Sequence, residues 1–268
     1  MLQDGTAPIA FFDSGVGGLP YLRWAKEHLP QENYVYLLDR AHFPYGIKTK
    51  EEVFQAVSEG IARLIEKVRP KIIVLACNTA TVVALQRLRA LHPDVPFVGV
   101  VPAVKPAAER TQGKRIGVMA TNRTLQDVYL ENLIKQFASQ CEVVRVAGPG
   151  IVEFVEQRLF QSSPNEKFNI IKEAIQVLRE RKVDKVVLGC THFLYLEEEL
   201  RLGLGKDVEL IDSREGVGHQ LMRVLSTVSL PNTKPKKGDL LYVTGTSPIE
   251  ERYYTFAQMF GMKVAGVL

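Results

Sequence analysis

Short apolar runs, rich in β-branched residues, recur along the chain at positions 9–12, 34–38, 71–76, 97–100, 115–119, 142–146, 185–189 and 209–211. Each has the length of a strand, and its hydrophobicity is nearly continuous. Strict alternation would mark a sheet with one wet face, whereas continuous runs mark strands covered on both faces, as in a parallel sheet flanked by helices. The segments between them carry a helical period. In residues 51–68, Val53, Val57, Ile61, Leu64, Ile65 and Val68 fall on one stripe. This alternation of strand and helix predicts an α/β fold with mostly parallel sheets.

The pattern also repeats at a lag of about 110 residues. Ile9-Ala10-Phe11-Phe12-Asp13-Ser14 resembles Ile116-Gly117-Val118-Met119-Ala120-Thr121, and the run from Lys71 to Cys77 resembles the run from Asp184 to Cys190. Both halves place a cysteine directly after an apolar strand. Chance similarity between apolar strands is the bland alternative, and the paired cysteines weigh against it. Two similar, pseudo-symmetric α/β domains facing each other would set Cys77 and Cys190 on opposite walls of one cleft. Further on, residues 227–239 read as a proline- and lysine-containing surface loop, 240–244 as one more strand, and 248–260 as a helix. The last segment is therefore expected to return to the first half, giving domains of residues 1–99 with 214–268 and of residues 100–213.

Composition narrows the function. With 46% of its 268 residues hydrophobic, the chain can bury a large core. Lys and Arg number 34 against 30 Asp and Glu, and residues 234–237 form the only short basic tract. The electrostatic footprint of a nucleic-acid binder is absent, which points to a small substrate. Residues 1–8 lack the pattern of a secretory signal, and no apolar run approaches the ~20 residues that span a bilayer. A cytoplasmic protein without membrane contact is the expectation. Three cysteines without CxxC spacing fit neither a disulfide framework nor a zinc site.

Ligand sites in parallel α/β sheets form at the carboxyl ends of strands, where free backbone N–H groups point outward. Polar clusters fall at such ends: Asp13-Ser14 with the glycines that follow, Asp39 through Tyr45-Gly46, Cys77-Asn78-Thr79, Thr121 with Thr124, and Cys190-Thr191-His192. The glycines match neither a phosphate loop nor the Gly-x-Gly-x-x-Gly dinucleotide spacing, and are better suited to bringing amides close to a carboxylate. A lone buried cysteine is most often a small apolar residue, and Cys141 keeps that reading. Cys77 and Cys190 differ because hydrogen-bonding side chains follow each. A thiol, with a reference pKa of ~8.5, is a usable base when a helix N-terminus favours its thiolate. His192 either relays a proton or stabilises that thiolate, or else only caps a helix; Asp13 and Asp39 face the same choice between chemistry and capping.

Taken in order, Phe12-Asp13-Ser14-Gly15-Val16-Gly17-Gly18, Pro44-Tyr45-Gly46, Ala76-Cys77-Asn78-Thr79-Ala80 and Gly189-Cys190-Thr191-His192 resemble the glutamate racemase family. The resemblance runs from about residue 9 to 213, more weakly beyond, and so covers nearly the whole chain. It implies two α/β domains with the active site in the cleft between them, and a cofactor-independent isomerase that supplies D-glutamate for peptidoglycan. It makes Cys77 and Cys190 the acid/base pair, with Asp13 and His192 assisting the first and second thiol, and with Asp39 and Glu156 as supporting carboxylates. Asp13, Ser14, Tyr45, Gly46, Asn78, Thr79, Thr121, Thr124, Thr191 and His192 would hold the amino acid. It implies no cofactor and no metal, glutamate as the partner, and a homodimer as one possible assembly.

The chain departs from the family pattern at Leu38 and Arg40, at Ala120, at Leu194 and Tyr195, and at Arg214; none of these removes an acid, a base or a substrate contact. Inversion at a held α-carbon needs a base on one face and an acid on the other, which two thiols in opposite protonation states provide. Neither a pyridoxal-type lysine nor a metal is needed for this. Two other readings stay open. One is a related racemase acting on aspartate or another amino acid. The other is a regulatory protein that binds an amino acid without turning it over.

Overall fold

Each apolar run of the sequence forms a strand, and every strand pair among the described residues is parallel. The protein is seen here in a computed structural model, which describes residues 5–228, 232, 234 and 236–268. These fold as two units, Met1–Val100 with Arg214–Leu268, and Val101–Ser213.

The first unit opens with β1 (Ile9–Asp13), α1 (Leu19–His28), β2 (Tyr34–Leu38), α2 (Lys50–Val68), β3 (Ile72–Leu75), α3 (Asn78–Leu91) and β4 (Phe97–Gly99). The second holds α4 (Val104–Arg110), β5 (Arg115–Ala120), α5 (Asn122–Leu125), α6 (Val128–Phe137), β6 (Glu142–Ala147), α7 (Ile151–Arg158), α8 (Pro164–Glu180), β7 (Lys185–Leu188), α9 (Glu197–Leu204) and β8 (Glu209–Ile211). The chain then returns to the first unit with α10 (Arg214–Val228), β9 (Leu240–Val243), α11 (Glu251–Met259) and β10 (Lys263–Val267).

The strand orders are β10-β9-β2-β1-β3-β4 and β6-β5-β7-β8. In both units the first strand has the second on one side and the third, then the fourth, on the other. The sequence repeat therefore pairs equivalent strands, β1 with β5 and β3 with β7. Strands β1, β2 and β3 are buried at every residue, which is why their hydrophobicity does not alternate. Below them, α2 starts at a capping box in which the Thr49 side chain accepts from the Glu52 N–H and Glu52 accepts from that of Thr49. Its residues Val53, Val57, Ile61 and Leu64 are wholly buried in the core cluster, while Ile65 and Val68 pack at its margin. Trp24 of α1 lies so close to Gly218 of α10 that a Cβ there would come within 2.0 Å of the indole. The glycine lets α10 dock on α1.

One strand escaped the hydrophobic pattern. In β10, burial alternates between exposed and partly exposed along Lys263–Val267, because β10 is an edge strand with β9 as its single neighbour. Of the expected loop at 227–239, residues 229–231, 233 and 235 lie outside the described residues. Its first two residues end α10, and Asp239 at its other end is buried against Lys26, 2.7 Å away. Among the described residues no helix is long and apolar enough to cross a membrane.

Candidate active site

In the first unit, the carboxyl ends of β2, β1 and β3 bring three polar clusters side by side. Asp13, fully buried, does not cap α1, whose start has no side-chain cap. Its Oδ1 instead accepts from the Ser14 hydroxyl at 3.1 Å and the Gly15 N–H at 3.2 Å. The Ser14 Oγ in turn lies 3.8 Å from the Cys77 sulfur. The glycine loop is pinned by Tyr36, whose hydroxyl donates to the Gly15 carbonyl at 2.8 Å and accepts from the Gly18 N–H at 3.1 Å. A Cβ on Gly18 would lie 2.5 Å from that of Ala76, so only glycine allows the loop to press against the residue before the thiol.

Cys77 is the N-cap of the 14-residue helix α3 and is nearly inaccessible in this unit. Asn78 and Thr79 follow in the first turn, both buried. Neither Nδ2 nor Oδ1 of Asn78 has a hydrogen-bond partner. Leaving a buried amide unpaired costs ~1–3 kcal/mol, a cost that a ligand with a donor and an acceptor would offset.

Asp39 is also buried and gathers three donors: the hydroxyl of Tyr45 on Oδ2, the hydroxyl of Thr244 on Oδ1 at 2.5 Å, and His42 Nδ1, 3.0 Å from both oxygens. The capping reading fails here too, since the Asp39 side chain caps no backbone N–H of the 3-10 turn it precedes and bonds there only to the His42 ring. Burial, the charge of Asp39 and its hydrogen bond, and the charges of Cys77 and Asp13 together push the Tyr45 hydroxyl well above its ordinary pKa. Tyr45 therefore keeps its proton and donates a hydrogen bond to Asp39. Gly46 follows Tyr45 in a short 3-10 turn, Tyr45–Ile47. Arg40, one of the departures from the family pattern, donates to the carbonyls of Thr244, Thr246 and Pro248 and to the Glu250 carboxylate, tying this segment to the loop after β9. A pocket of about 240 Å³ opens beside Asp39, with His42, Glu59, Arg63, Thr244 and Thr246 in its walls.

In the second unit, Cys190 is buried at the end of β7, the position equivalent to Cys77. Here the two thiols part ways. Cys190 heads a six-residue 3-10 segment, Thr191–Leu196, before α9 begins, whereas Cys77 heads an α-helix. The second residue of that segment is His192. Its Nε2 lies 2.8 Å from Glu156 Oε1, and both side chains are buried. Burial alone would lower the pKa of His192. The hydrogen bonds to Cys190 and Glu156, with the charges of both, outweigh it and hold the imidazole well above its ordinary value. An imidazolium touching the thiol can donate a proton to it or stabilise its thiolate. Thr191 is buried beside it.

Thr121 and Thr124 sit at the end of β5. Thr121 caps α5, its Oγ1 accepting from the Thr124 N–H at 3.3 Å and donating to the Thr124 hydroxyl at 3.1 Å. Cys141 packs, partly buried, at the margin of the second unit's core. None of the three cysteines takes part in a disulfide.

The structure thus groups Asp13, Ser14, Asp39, Tyr45, Gly46, Cys77, Asn78 and Thr79 at the strand ends of one unit. It groups Thr121, Thr124, Glu156, Cys190, Thr191 and His192 in the other. The sequence reading missed Tyr36, His42 and Thr244. Thr244 carried a usable signal, a polar residue at the end of an apolar strand; Tyr36 lies mid-strand and carried none.

The profile of the Asp/Glu/Hydantoin racemase family matches residues 21–215. The chain belongs to that family. Among its relatives, the glutamate racemase of Clostridium perfringens (strain SM101 / Type A) is 39% identical over 234 residues, covering 87% of this chain and 89% of that one. The glutamate racemase of Sphingopyxis alaskensis is 41% identical over 229 residues, 84% of each chain. The crystal structure of Escherichia coli glutamate racemase in complex with L-glutamate and the activator UDP-MurNAc-ala superposes with a TM-score of 0.87 at 33% identity, covering 97% of this chain and 98% of that one. This racemase is accordingly an isomerase, built on two parallel α/β sheets like that structure.

Proposed function

We propose that this racemase interconverts L- and D-glutamate without an added cofactor, using Cys77 and Cys190 as its two proton-transfer groups. The observation that carries the reading is the duplicated thiol station. Each unit places one buried cysteine at the end of its third strand and gives it a buried polar neighbour, Ser14 with Asp13 for Cys77 and His192 with Glu156 for Cys190. Abstraction of the α-proton by a thiolate leaves a planar, carbanion-like centre, and reprotonation by the other thiol on the opposite face inverts it. The two sulfurs exchange protonation states in each turnover, so the reverse reaction starts from the swapped form. Charge developing on the substrate carboxylate calls for donors already in place, and Ser14, Thr79, Thr191 and the unpaired Asn78 amide suit that task. Glutamate as substrate rests on the named relatives; D-glutamate for peptidoglycan, made in the cytoplasm where thiols stay reduced, is the role that fits them.

The reading is tested by incubating the purified protein, in reductant and without cofactor, with D-glutamate and in parallel with D-aspartate, following circular dichroism. The glutamate signal is expected to decay towards zero while that of aspartate persists. Decay with aspartate alone would move the assignment to a sister racemase, and decay with neither, in a folded protein with free thiols, would leave a binding protein.

A further inference from the structure

Asp39 is held by a residue that the chain supplies from beyond the segment matching the family profile. We propose that Thr244, directly after β9, is a positioning residue for racemisation: its hydroxyl fixes the Asp39 carboxylate, and through it the Tyr45-Gly46 segment. The inference rests on the racemase reading above.

The geometry is specific. The Thr244 N–H donates to the Leu38 carbonyl at 2.9 Å, carrying the β9–β2 pairing one residue past the strands. That fixes Thr244 opposite Asp39. Its Oγ1 donates to Asp39 Oδ1 at 2.5 Å and accepts from the Ala41 N–H at 3.0 Å, so one hydroxyl orients both the carboxylate and the turn after it. Because its single proton goes to Asp39, the hydroxyl has a defined sense, donor to the charge and acceptor from the backbone. On the other oxygen, Asp39 Oδ2 receives the Tyr45 hydroxyl. A planar carboxylate with both oxygens engaged cannot turn, so Thr244 on one edge sets where Tyr45 is held on the other.

Thr244 is buried and lines the pocket beside Asp39. Without its hydroxyl, Asp39 would face that pocket with His42, itself partly exposed, as the remaining donor on Oδ1 among the described residues. Arg40 keeps Thr244 in place by bonding its carbonyl and that of Thr246. Tyr45 in turn belongs to the same buried cluster as Cys77, which brings this chain of contacts to the surroundings of the first thiol.

The test uses full-length protein with Thr244→Val and Thr244→Ser, reading kcat and KM for D-glutamate by circular dichroism and the urea unfolding midpoint of each. Loss of a hydrogen bond to a buried charge predicts that kcat/KM falls about tenfold or more in Thr244→Val, mainly through KM. Thr244→Ser, which keeps the hydroxyl and loses the methyl, is expected to stay within about twofold of the parent. A folded Thr244→Val protein with parental kcat/KM overturns the proposal. So does a Thr244→Ser protein as impaired as Thr244→Val, since that would make the methyl the part that matters. A parent protein that does not racemise glutamate overturns the functional reading itself, an outcome separate from either of these.

Discussion

At His192 burial and charge oppose each other directly. Burial disfavours the imidazolium, and the contacts with Cys190 and Glu156 restore it, leaving the group protonated well above its usual range. A raised folded-state pKa means that the pair stabilises the protein fully below the unfolded value of ~6.5 and that this contribution disappears as pH rises through the folded value. Glu156→Gln removes the charge and leaves the burial. The His192 pKa is then expected to fall, so that the ring loses its proton at lower pH than in the parent. Titration of the His192 ring signals by NMR checks this: coincident midpoints in parent and variant would mean that Glu156 does not hold the charge. Racemisation near neutral pH should fall in the same variant, at most by the ~10²–10⁴-fold that a general acid or base contributes.

Among the elements, α2 shows how packing overrules local preference. Gly60 lies in its middle, where glycine costs ~1 kcal/mol relative to alanine. The Phe12 ring of β1 occupies the place of the missing side chain: a Cβ on Gly60 would lie 2.6 Å from Cε2. Phe12 is wholly buried. Gly60→Ala is therefore expected to lower stability by about 1–3 kcal/mol despite the better helix former, as overpacked cores do. Urea unfolding measures it, and an unchanged or higher midpoint would show that Phe12 can move. Phe12 immediately precedes Asp13, so any shift of the ring is passed to the strand end that carries the first site.

For the whole molecule the decisive feature is that each unit carries one buried thiol just after its third strand, Cys77 in the first and Cys190 in the second. A single base can remove a proton from one face but cannot complete an inversion of a held substrate. Cys77→Ser and Cys190→Ser are each expected to lower racemisation by at least about 10²-fold. In D2O, each variant should still exchange the α-proton of one enantiomer, and the two variants should favour opposite enantiomers. Full racemase activity in either folded variant would rule out the paired-thiol mechanism. Equal exchange of both enantiomers by one variant would show that a single thiol reaches both faces.

Much of this was legible before any coordinates. Continuous apolar runs announced buried parallel strands because both sheet faces are covered, and strand-end polar clusters announced Asp13, Cys77 and Cys190 because that is where a parallel sheet presents free N–H groups. Edge strand β10 was not legible: with one neighbour it needs no continuous apolar run. Nor were partnerships across long stretches of chain. That Glu156 meets His192 across 36 positions, and that Thr244 meets Asp39 across 205, follows from how helices and strands dock. The same holds for the 3-10 start at Cys190 where the repeat suggested a counterpart of α3. Local order, periodicity and residue type are written along the chain, and they determined the fold class, the repeat and the chemistry on offer. Which polar groups share a proton depends on distances closed only by packing, and that was decided by the tertiary structure.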